Sequence, residues 1–251
     1  MILEWEVMLP LLTGEETRKA YIYLPEMYEA DPKARFPVLY MFDGHNVFSD
    51  KEATYGKGWG MDRYLTWTKT PLIVAAVECN HSGHERLSEY SPFDFKMPRA
   101  GLIKGKGELY MDWLINGFKP MVDKRLRTLR DRKHTLIAGS SMGGLMALYG
   151  AVAHNDVFQK AACLSPSLWT APKEVLEIIR TADMGLDTCI YMDYGSHEIA
   201  NHKKSIAALG STAQALYKKR VDLTFRIVPG GNHSEASWEK QIPIFMRCLG
   251  F

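Results

Sequence analysis

The sequence predicts an α/β fold, in which a mostly parallel sheet is covered by helices on both faces and begins with an antiparallel hairpin. Strand-like and helix-like segments alternate along most of the 251 residues, a pattern typical of parallel strands joined by crossover helices. Residues 36–42 and 72–77 are continuously apolar, as expected of strands that are buried on two faces. No linker-like stretch divides the chain, so one domain over residues 1–251 is expected.

Each element follows from its local pattern. Residues 4–8 and 18–24 alternate apolar and polar side chains around a turn at 13–16, which predicts a hairpin of two edge strands. Apolar spacing then predicts a helix at 61–68 between the two buried strands. The later predictions are helices at 107–126, 141–154, 172–181, 202–220 and 234–249, and strands at 134–138, 160–164, 188–194 and 222–228.

The charge balance bears on the partners. Lys and Arg total 31 and Asp and Glu total 29, so the net charge of +2 provides no basic surface for nucleic acid or an anionic membrane. A small-molecule substrate is expected instead. The N-terminus lacks the basic start and apolar core of a secretory signal, and no apolar run approaches the length of a membrane span. We therefore expect a cytoplasmic protein.

The cysteines point the same way. Cys79, Cys163, Cys189 and Cys248 are far apart, and the first three lie in or at the end of apolar, strand-like runs. Cysteine in such places behaves as a small apolar side chain, so we interpret all four as reduced thiols.

One short stretch carries the strongest chemical signal. The motif Gly139-Ser-Ser-Met-Gly143 joins a strand pattern to a helix pattern, as in a nucleophile elbow, and makes Ser141 the candidate nucleophile. Gly139 and Gly143 would relieve crowding around the strained serine. The amide of Met142, at the start of the helix, is the expected first donor to an oxyanion. The alternative is a Gly/Ser-rich turn that only connects two elements.

The general base is expected in a loop that follows a strand. In this architecture the chain order is serine, acid, histidine, and His233 lies in a Gly-rich loop directly after the last predicted strand. His233 is therefore the candidate base, although it could instead cap the final helix. His134 precedes a strand, and His154 and His202 fall on predicted helices, so these three are expected at the surface.

Two carboxylates compete for the role of the acid that orients His233. Asp193 lies inside a strand pattern, whereas Glu198 stands in the loop beyond Gly195, where its longer side chain can reach the imidazole. We favour Glu198. Asp193, an uncharged orienting group, or a Ser-His pair without an acid remain alternatives.

Metal sites are less well supported. His197-Glu198 followed by His202 approaches the zinc motif His-Glu-x-x-His, but the second histidine comes one residue late and turns away on a helix. His81, His84 and Glu85 lack a well-placed further ligand and are interpreted as a polar loop.

The second oxyanion donor and the pocket are predicted from other loops. The third strand ends in Asp43-Gly-His45, so the His45 amide is the candidate donor, with a plain Asp-Gly turn as the alternative. Arg86 and Glu89 are expected to hold their own loop. Three aromatic residues after strands are candidates to line a pocket or simply to pack in the core: Trp59, Tyr90 and Trp169.

These motifs together resemble the Putative esterase family of α/β-hydrolases, which includes esterase D, siderophore esterases, feruloyl and acetyl xylan esterases and mycolyltransferases. The similarity extends over nearly the whole chain. Glu198 differs from the Asp common in esterase D-like members but is similar to the Glu of mycolyltransferases. The motifs that carry the resemblance are residues 40–46, 89–92, 139–144, 164–169, 194–198 and 231–234.

The resemblance implies an α/β-hydrolase fold and a serine esterase that forms an acyl-enzyme. In that scheme Ser141 attacks an ester carbonyl, His233 takes and returns the proton, and Glu198 orients His233. The Met142 and His45 amides hold the oxyanion. No metal or organic cofactor is implied. An acyltransferase, a siderophore-type lactone esterase or a binding protein without catalysis are the alternatives, of which the intact Ser, acid and His disfavour the last.

Overall fold

The computed structural model describes residues 1–98, 100–198 and 202–251. Within these residues, the helices are α1 (Pro10–Thr13), α2 (Met27–Ala30), α3 (Met61–Thr68), α4 (Glu85–Glu89), α5 (Gly107–Trp113), α6 (Lys119–Arg125), α7 (Met142–Ala153), α8 (Pro172–Thr181), α9 (His202–Lys218), α10 (Glu235–Glu239) and α11 (Ile242–Cys248). The strands are β1 (Ile2–Met8), β2 (Thr17–Tyr23), β3 (Val38–Met41), β4 (Ile73–Val77), β5 (Phe95–Met97), β6 (Gly101–Ile103), β7 (Thr135–Ser140), β8 (Lys160–Leu164), β9 (Cys189–Gly195) and β10 (Asp222–Val228).

Eight strands form one mixed sheet in the order β1-β2-β4-β3-β7-β8-β9-β10. The six strands from β4 to β10 in this order are parallel, and the antiparallel hairpin β1-β2 joins them through β4. This confirms the predicted α/β fold with its N-terminal hairpin. The expectation that both hairpin strands lie at an edge is wrong for β2, because β2 pairs with β1 on one side and with β4 on the other.

Both faces of the sheet are covered. Side chains of the central strands alternate between two apolar clusters, with Tyr40 and Ala75 in one and Leu39 and Val74 in the other. Helices α5 to α9 contribute to the first cluster, and α3, α10 and α11 contribute to the second. Burial on two faces explains why these strands are apolar at successive positions.

Two predicted helices are interrupted, each near a proline. The predicted helix over 107–126 contains a π-helical turn, Leu114–Phe118, which ends two residues before Pro120. The predicted final helix divides into α10 and α11, and Pro243 lies in the first turn of α11. Proline lacks the amide that would continue the helical hydrogen bonds, which accounts for a local change at both places.

The parallel strands place their carboxyl ends at one edge of the sheet. The loops that follow β3, β4, β7, β8, β9 and β10 therefore meet there, and they contain the candidate residues for chemistry. Of the described helices, none has the length and apolar character that a membrane crossing needs.

Candidate active site

Ser141 lies at a sharp turn between β7 and α7. Its backbone has φ 57° and ψ −120°, a conformation that costs a non-glycine residue free energy. A Cβ at Gly139 would lie 2.6 Å from the backbone of Gly143, so glycine is required at position 139. The amide of Ser141 donates to the Leu164 carbonyl at 2.9 Å, which ties the turn to the end of β8. The strained turn thus has the geometry predicted for a nucleophile elbow.

The structure brings His233 and Glu198 together from two different loops. His233 follows β10, Glu198 follows β9, and the distance from His233 Nδ1 to Glu198 Oε2 is 2.5 Å. The Glu198 side chain is 2% exposed, whereas that of His233 is 24% exposed. The acid is therefore enclosed while the imidazole faces the cavity that it shares with Ser141.

Further hydrogen bonds hold Glu198 in its ionised form. Its Oε1 accepts from Ser165 Oγ at 2.5 Å and from the Gly195 amide at 3.2 Å. Burial by itself would raise the pKa of Glu198, but the hydrogen bonds from His233 and Ser165 outweigh burial and lower it. A carboxylate at Nδ1 leaves Nε2 as the imidazole nitrogen that can exchange a proton with a substrate or nucleophile.

Asp193, the competing acid, lies inside β9 and is 1% exposed. It accepts hydrogen bonds from the Tyr191 hydroxyl at 2.7 Å and from the Ser165 amide at 3.2 Å. Burial raises the pKa of Asp193 to about 6. In the structure, Glu198 thus contacts the imidazole, whereas Asp193 forms hydrogen bonds with Tyr191 and Ser165.

Ser165 and Trp238 also belong to this network, and sequence reasoning did not single out either as functional. Ser165 has φ 44° and accepts from Trp238 Nε1 at 3.0 Å while it donates to Glu198. The Trp238 ring also packs against the ring of His233, with centroids 5.0 Å apart. The sequence could have indicated Ser165 by its position, because it directly follows β8 and so lies at the same edge of the sheet as Ser141.

The loop after β3, which contains the candidate oxyanion donor, is held by an ion pair between the buried Asp43 and the half-buried Arg86. Asp43 has φ 56°, and its carboxylate accepts two hydrogen bonds of 2.7 Å from Arg86. Burial opposes ionisation of Asp43, yet the charge of Arg86 lowers its pKa. A Cβ on Gly44 would lie 2.7 Å from the Ala76 carbonyl oxygen, so the loop can approach β4 closely only with glycine there.

Arg86 and Glu89 differ in what they hold. Arg86 reaches across to Asp43, whereas Glu89 accepts from the Asn80 amide of its own loop at 2.7 Å and pairs with Arg18 of β2 at 2.8 Å. The expectation that Arg86 and Glu89 hold their own loop is therefore right for the bond from Glu89 to Asn80. The other two contacts join this loop to β2 and to the loop after β3.

Two cavities meet at Ser141 and His233. The first cavity has a volume of about 660 Å³ and lies against the loops after β3 and β4, including His45 and Arg86. The second cavity has a volume of about 490 Å³ and lies against the loops after β8 and β9 and the β5-β6 hairpin, including Trp169 and Lys96. This arrangement offers separate space for the two halves of a substrate divided at Ser141.

The three aromatic candidates for the pocket have different positions. Trp169 is 42% exposed and lines the second cavity. Trp59 is 3% exposed because it packs against Trp238 and Phe245 in the core. Tyr90 is fully buried, and its hydroxyl accepts from the Asp43 amide at 3.2 Å. The expectation that Trp59 and Tyr90 line the pocket is wrong. Both side chains are buried, and neither is among the described residues that line the two cavities.

His134 and His154 lie away from Ser141. His134 pairs with Asp131 before β7, at the opposite edge of the sheet. His154, which we expected at the surface, is half-buried against Tyr149 at the end of α7. His197 is exposed, and the side chain of His202, required by the zinc alternative, lies outside the described part of the chain. The four cysteines are free thiols, as predicted.

A family model described as Putative esterase matches residues 13–246. The chain belongs to the Putative esterase family. It is accordingly an enzyme of the serine esterase type, with the α/β fold of that family.

Individual relatives are distant. The uncharacterised protein YbbA of Bacillus subtilis is 26% identical over 196 residues, which cover 75% of this chain and 72% of YbbA. The ferri-bacillibactin esterase BesA of Bacillus subtilis is 27% identical over 172 residues, which cover 62% of this chain and 57% of BesA. The crystal structure of an IroE-like serine hydrolase from Shewanella oneidensis superimposes with a TM-score of 0.76 at 20% identity, covering 98% of this chain and 78% of the other.

Proposed function

We propose that this esterase hydrolyses small carboxylic esters with short acyl groups, through a triad of Ser141, His233 and Glu198. The observation that carries the proposal is the 2.5 Å hydrogen bond between Glu198 and His233, which line the second cavity together with the strained Ser141. The hydrogen bond to Glu198, itself fixed by burial, orients the imidazole in advance of the reaction, which is what a general base needs.

The reaction has two steps. Ser141 Oγ attacks the ester carbonyl carbon while its proton passes to His233 Nε2. The bond from the acyl carbon to the alcohol oxygen then breaks, and the alcohol leaves with that proton. Water next attacks the acyl-enzyme, loses its proton to His233, and the carboxylic acid departs as Ser141 is reprotonated.

The amides of Met142 and His45 hold the oxyanion in both steps. Met142 begins α7, and the first amides of a helix have no partner within the helix. The ion pair between Asp43 and Arg86 supports the turn that contains His45. Donors fixed in this way stabilise the charge that develops in the transition state without reorganisation.

The two cavities meet at Ser141, and we assign the larger one to the alcohol portion of the ester and the smaller one to the acyl portion. A transferase would share the acyl-enzyme and differ only in the acceptor, so an alcohol is included in the test below. A cytoplasmic location stays a prediction of the sequence.

A lactone esterase for an anionic, siderophore-type substrate is the second candidate. Lys96 and Lys204 are exposed side chains that line the second cavity, so they would face a ligand bound there. The name of the relative BesA, a ferri-bacillibactin esterase, agrees with such a substrate. For a substrate of this kind, Lys96→Ala combined with Lys204→Ala is expected to raise KM for an anionic siderophore-type lactone and to leave KM for nitrophenyl acetate unchanged.

The proposal is tested with a phosphonate that labels activated serines. Mass spectrometry is expected to find the adduct on the peptide that contains Ser141, and Ser141→Ala is expected to abolish both labelling and hydrolysis of nitrophenyl acetate, a loss of about 10³-fold or more. Ser140→Ala, the matched control at the neighbouring position, keeps both. Near-normal turnover in a folded Ser141→Ala protein contradicts the mechanism, and faster product release with added alcohol indicates transfer.

A further inference from the structure

Three potential metal ligands from two loops converge on the wall of the first cavity. His45 follows β3, and Cys79 and His81 follow β4. The ligand atoms of the three side chains all lie within 4.8 Å of one another. The proposed ester hydrolysis uses the backbone of His45 and no side chain of this cluster.

The imidazole of His45 is held in a form suited to metal binding. Its Nε2 lies 2.9 Å from Thr54 Oγ1, and its Nδ1 is buried without a hydrogen-bond partner among the described residues. The residue as a whole is 5% exposed. A buried polar atom without a partner costs free energy, so an unpaired nitrogen here indicates a ligand. Metal-bound histidines commonly place their other ring nitrogen in such a hydrogen bond.

The other two ligands enclose the same point. Cys79 is 3% exposed and is not in a disulfide. His81 is exposed, and its ring stands at 68° to the ring of His45 with centroids 4.7 Å apart. An exposed side chain can adjust by the small distance that coordination requires. The sequence had grouped His81 with His84 and Glu85, whereas the fold groups it with His45 and Cys79.

The charges around the cluster allow a cation. Arg86 neutralises the Asp43 carboxylate, which lines the same cavity as the three ligands. A thiolate formed at Cys79 would therefore be compensated by the bound cation. One thiolate and two imidazoles form a donor set typical of Zn²⁺, with a fourth position left open to the cavity.

We propose that His45 Nδ1, Cys79 Sγ and one ring nitrogen of His81 form a Zn²⁺ site beside the oxyanion loop. Binding replaces the thiol proton of Cys79, which passes to the solvent, and no electron is transferred. The bound ion occupies part of the first cavity, which also contains Ser141 and His233, so it competes with the substrate for this space and inhibits ester hydrolysis reversibly. The inhibition rests on the proposed function, whereas the binding does not.

Co²⁺ is a suitable probe because a thiolate ligand produces charge-transfer absorption that can be followed without measuring activity. The full-length protein, freed of metal, is expected to bind one equivalent of Co²⁺ with this absorption, and Zn²⁺ is expected to displace it. Ser141→Ala is expected to bind in the same way, which separates the site from catalysis. A wild type that shows no thiolate absorption overturns the proposal.

Variants locate the site. Cys79→Ser is expected to lose the charge-transfer absorption, and His81→Ala is expected to weaken binding by about 10-fold or more. Cys248→Ser, at a half-buried cysteine outside the cluster, is the matched control and keeps full binding. Because His81 is exposed, its substitution tests the site even if Cys79→Ser does not fold. Binding that survives both Cys79→Ser and His81→Ala overturns the proposal.

The inhibition is measured with each variant compared with its own metal-free rate. Zn²⁺ is expected to slow the wild type, a chelator is expected to restore the rate, and His81→Ala is expected to need about 10-fold more Zn²⁺ for the same effect. Stoichiometric Zn²⁺ binding without any loss of rate overturns the inhibitory role. A wild type that binds Co²⁺ but hydrolyses no ester contradicts the proposed function and leaves the metal site standing.

Discussion

Glu198 makes hydrogen bonds to three different groups, namely the imidazole of His233, the hydroxyl of Ser165 and the amide of Gly195. Each contact fixes one degree of freedom of the carboxylate. The imidazole is thereby held by a rigid partner although it lies on a Gly-rich loop. Single-residue changes in this network should affect turnover more than they affect substrate binding.

The first prediction compares the two acids. Glu198→Gln is expected to lower kcat by about 100-fold or more, because the amide cannot stabilise an imidazolium. Asp193→Asn is expected to change kcat less than about threefold, since Asp193 bonds to Tyr191 and Ser165 instead. Steady-state kinetics on nitrophenyl acetate, with circular dichroism to verify folding, measures both. A larger loss in Asp193→Asn shows that the acid has been wrongly assigned.

The second prediction concerns Ser165, which links Trp238 to Glu198. Ser165→Ala leaves Glu198 Oε1 and Trp238 Nε1 each without one partner, and kcat is expected to fall by about 10-fold, or about 1.4 kcal/mol, while KM stays nearly constant. Ser196→Ala is the control, since the Ser196 hydroxyl accepts from the Gly230 amide in a neighbouring turn. Equal effects of the two substitutions contradict a positioning role.

At the level of elements, β9 carries a buried acid near its carboxyl end. Burial raises the pKa of Asp193 from its ordinary value of 3.8 to about 6. Between these values the folded protein binds more protons at this site than the unfolded chain does. Stability contributed by this site therefore falls as pH rises through that window.

The third prediction follows from this sign. Asp193 is 1% exposed, so the shift of about two pKa units corresponds to about 3 kcal/mol lost between about pH 4 and pH 7. Asp193→Asn removes the ionisation, and its free energy of unfolding is expected to vary less with pH than that of the wild type. Urea unfolding at a series of pH values measures the difference. If the wild type instead gains stability relative to Asp193→Asn as pH rises through this window, the sign is wrong and the assignment is contradicted.

For the whole molecule, the connection between β8 and β9 is one of the segments that determine how open the site is. Its described residues contain the single helix α8, which packs into the core through Val175 and Ile179. This helix is the crossover that parallel strands require, and little chain remains to cover Ser141. A long acyl chain would consequently leave much of its length in water.

The fourth prediction follows from that openness. Each buried methylene contributes about 0.8 kcal/mol, and an open site buries only a few of them. The value of kcat/KM for nitrophenyl esters is expected to peak between acetate and butyrate, with no activation by lipid droplets. Measurements from acetate to palmitate decide the question, and a steady rise toward palmitate indicates an apolar channel.

The elements most fully determined by sequence are those whose signal is local. The strand–turn–helix pattern around Ser141 predicted the elbow because strain at one serine requires glycine within two residues of it. Strand β8 and helices α3 and α8 have the predicted bounds, since their apolar periodicity is complete within each segment. Pro120 and Pro243 were also local signals for the breaks in two helices. The apolar periodicity continues across both prolines and therefore favoured uninterrupted helices.

The tertiary structure alone decided which distant side chains meet. Trp59 and Trp169 both follow strands, yet only Trp169 reaches a cavity, because Trp59 is covered by α11. Ser165 meets Glu198 because β8 and β9 are neighbours in the sheet. Cys79 meets His45 because β4 and β3 are neighbours. Neighbouring strands are chosen by the packing of the entire sheet, so the residues of a single segment do not contain that information.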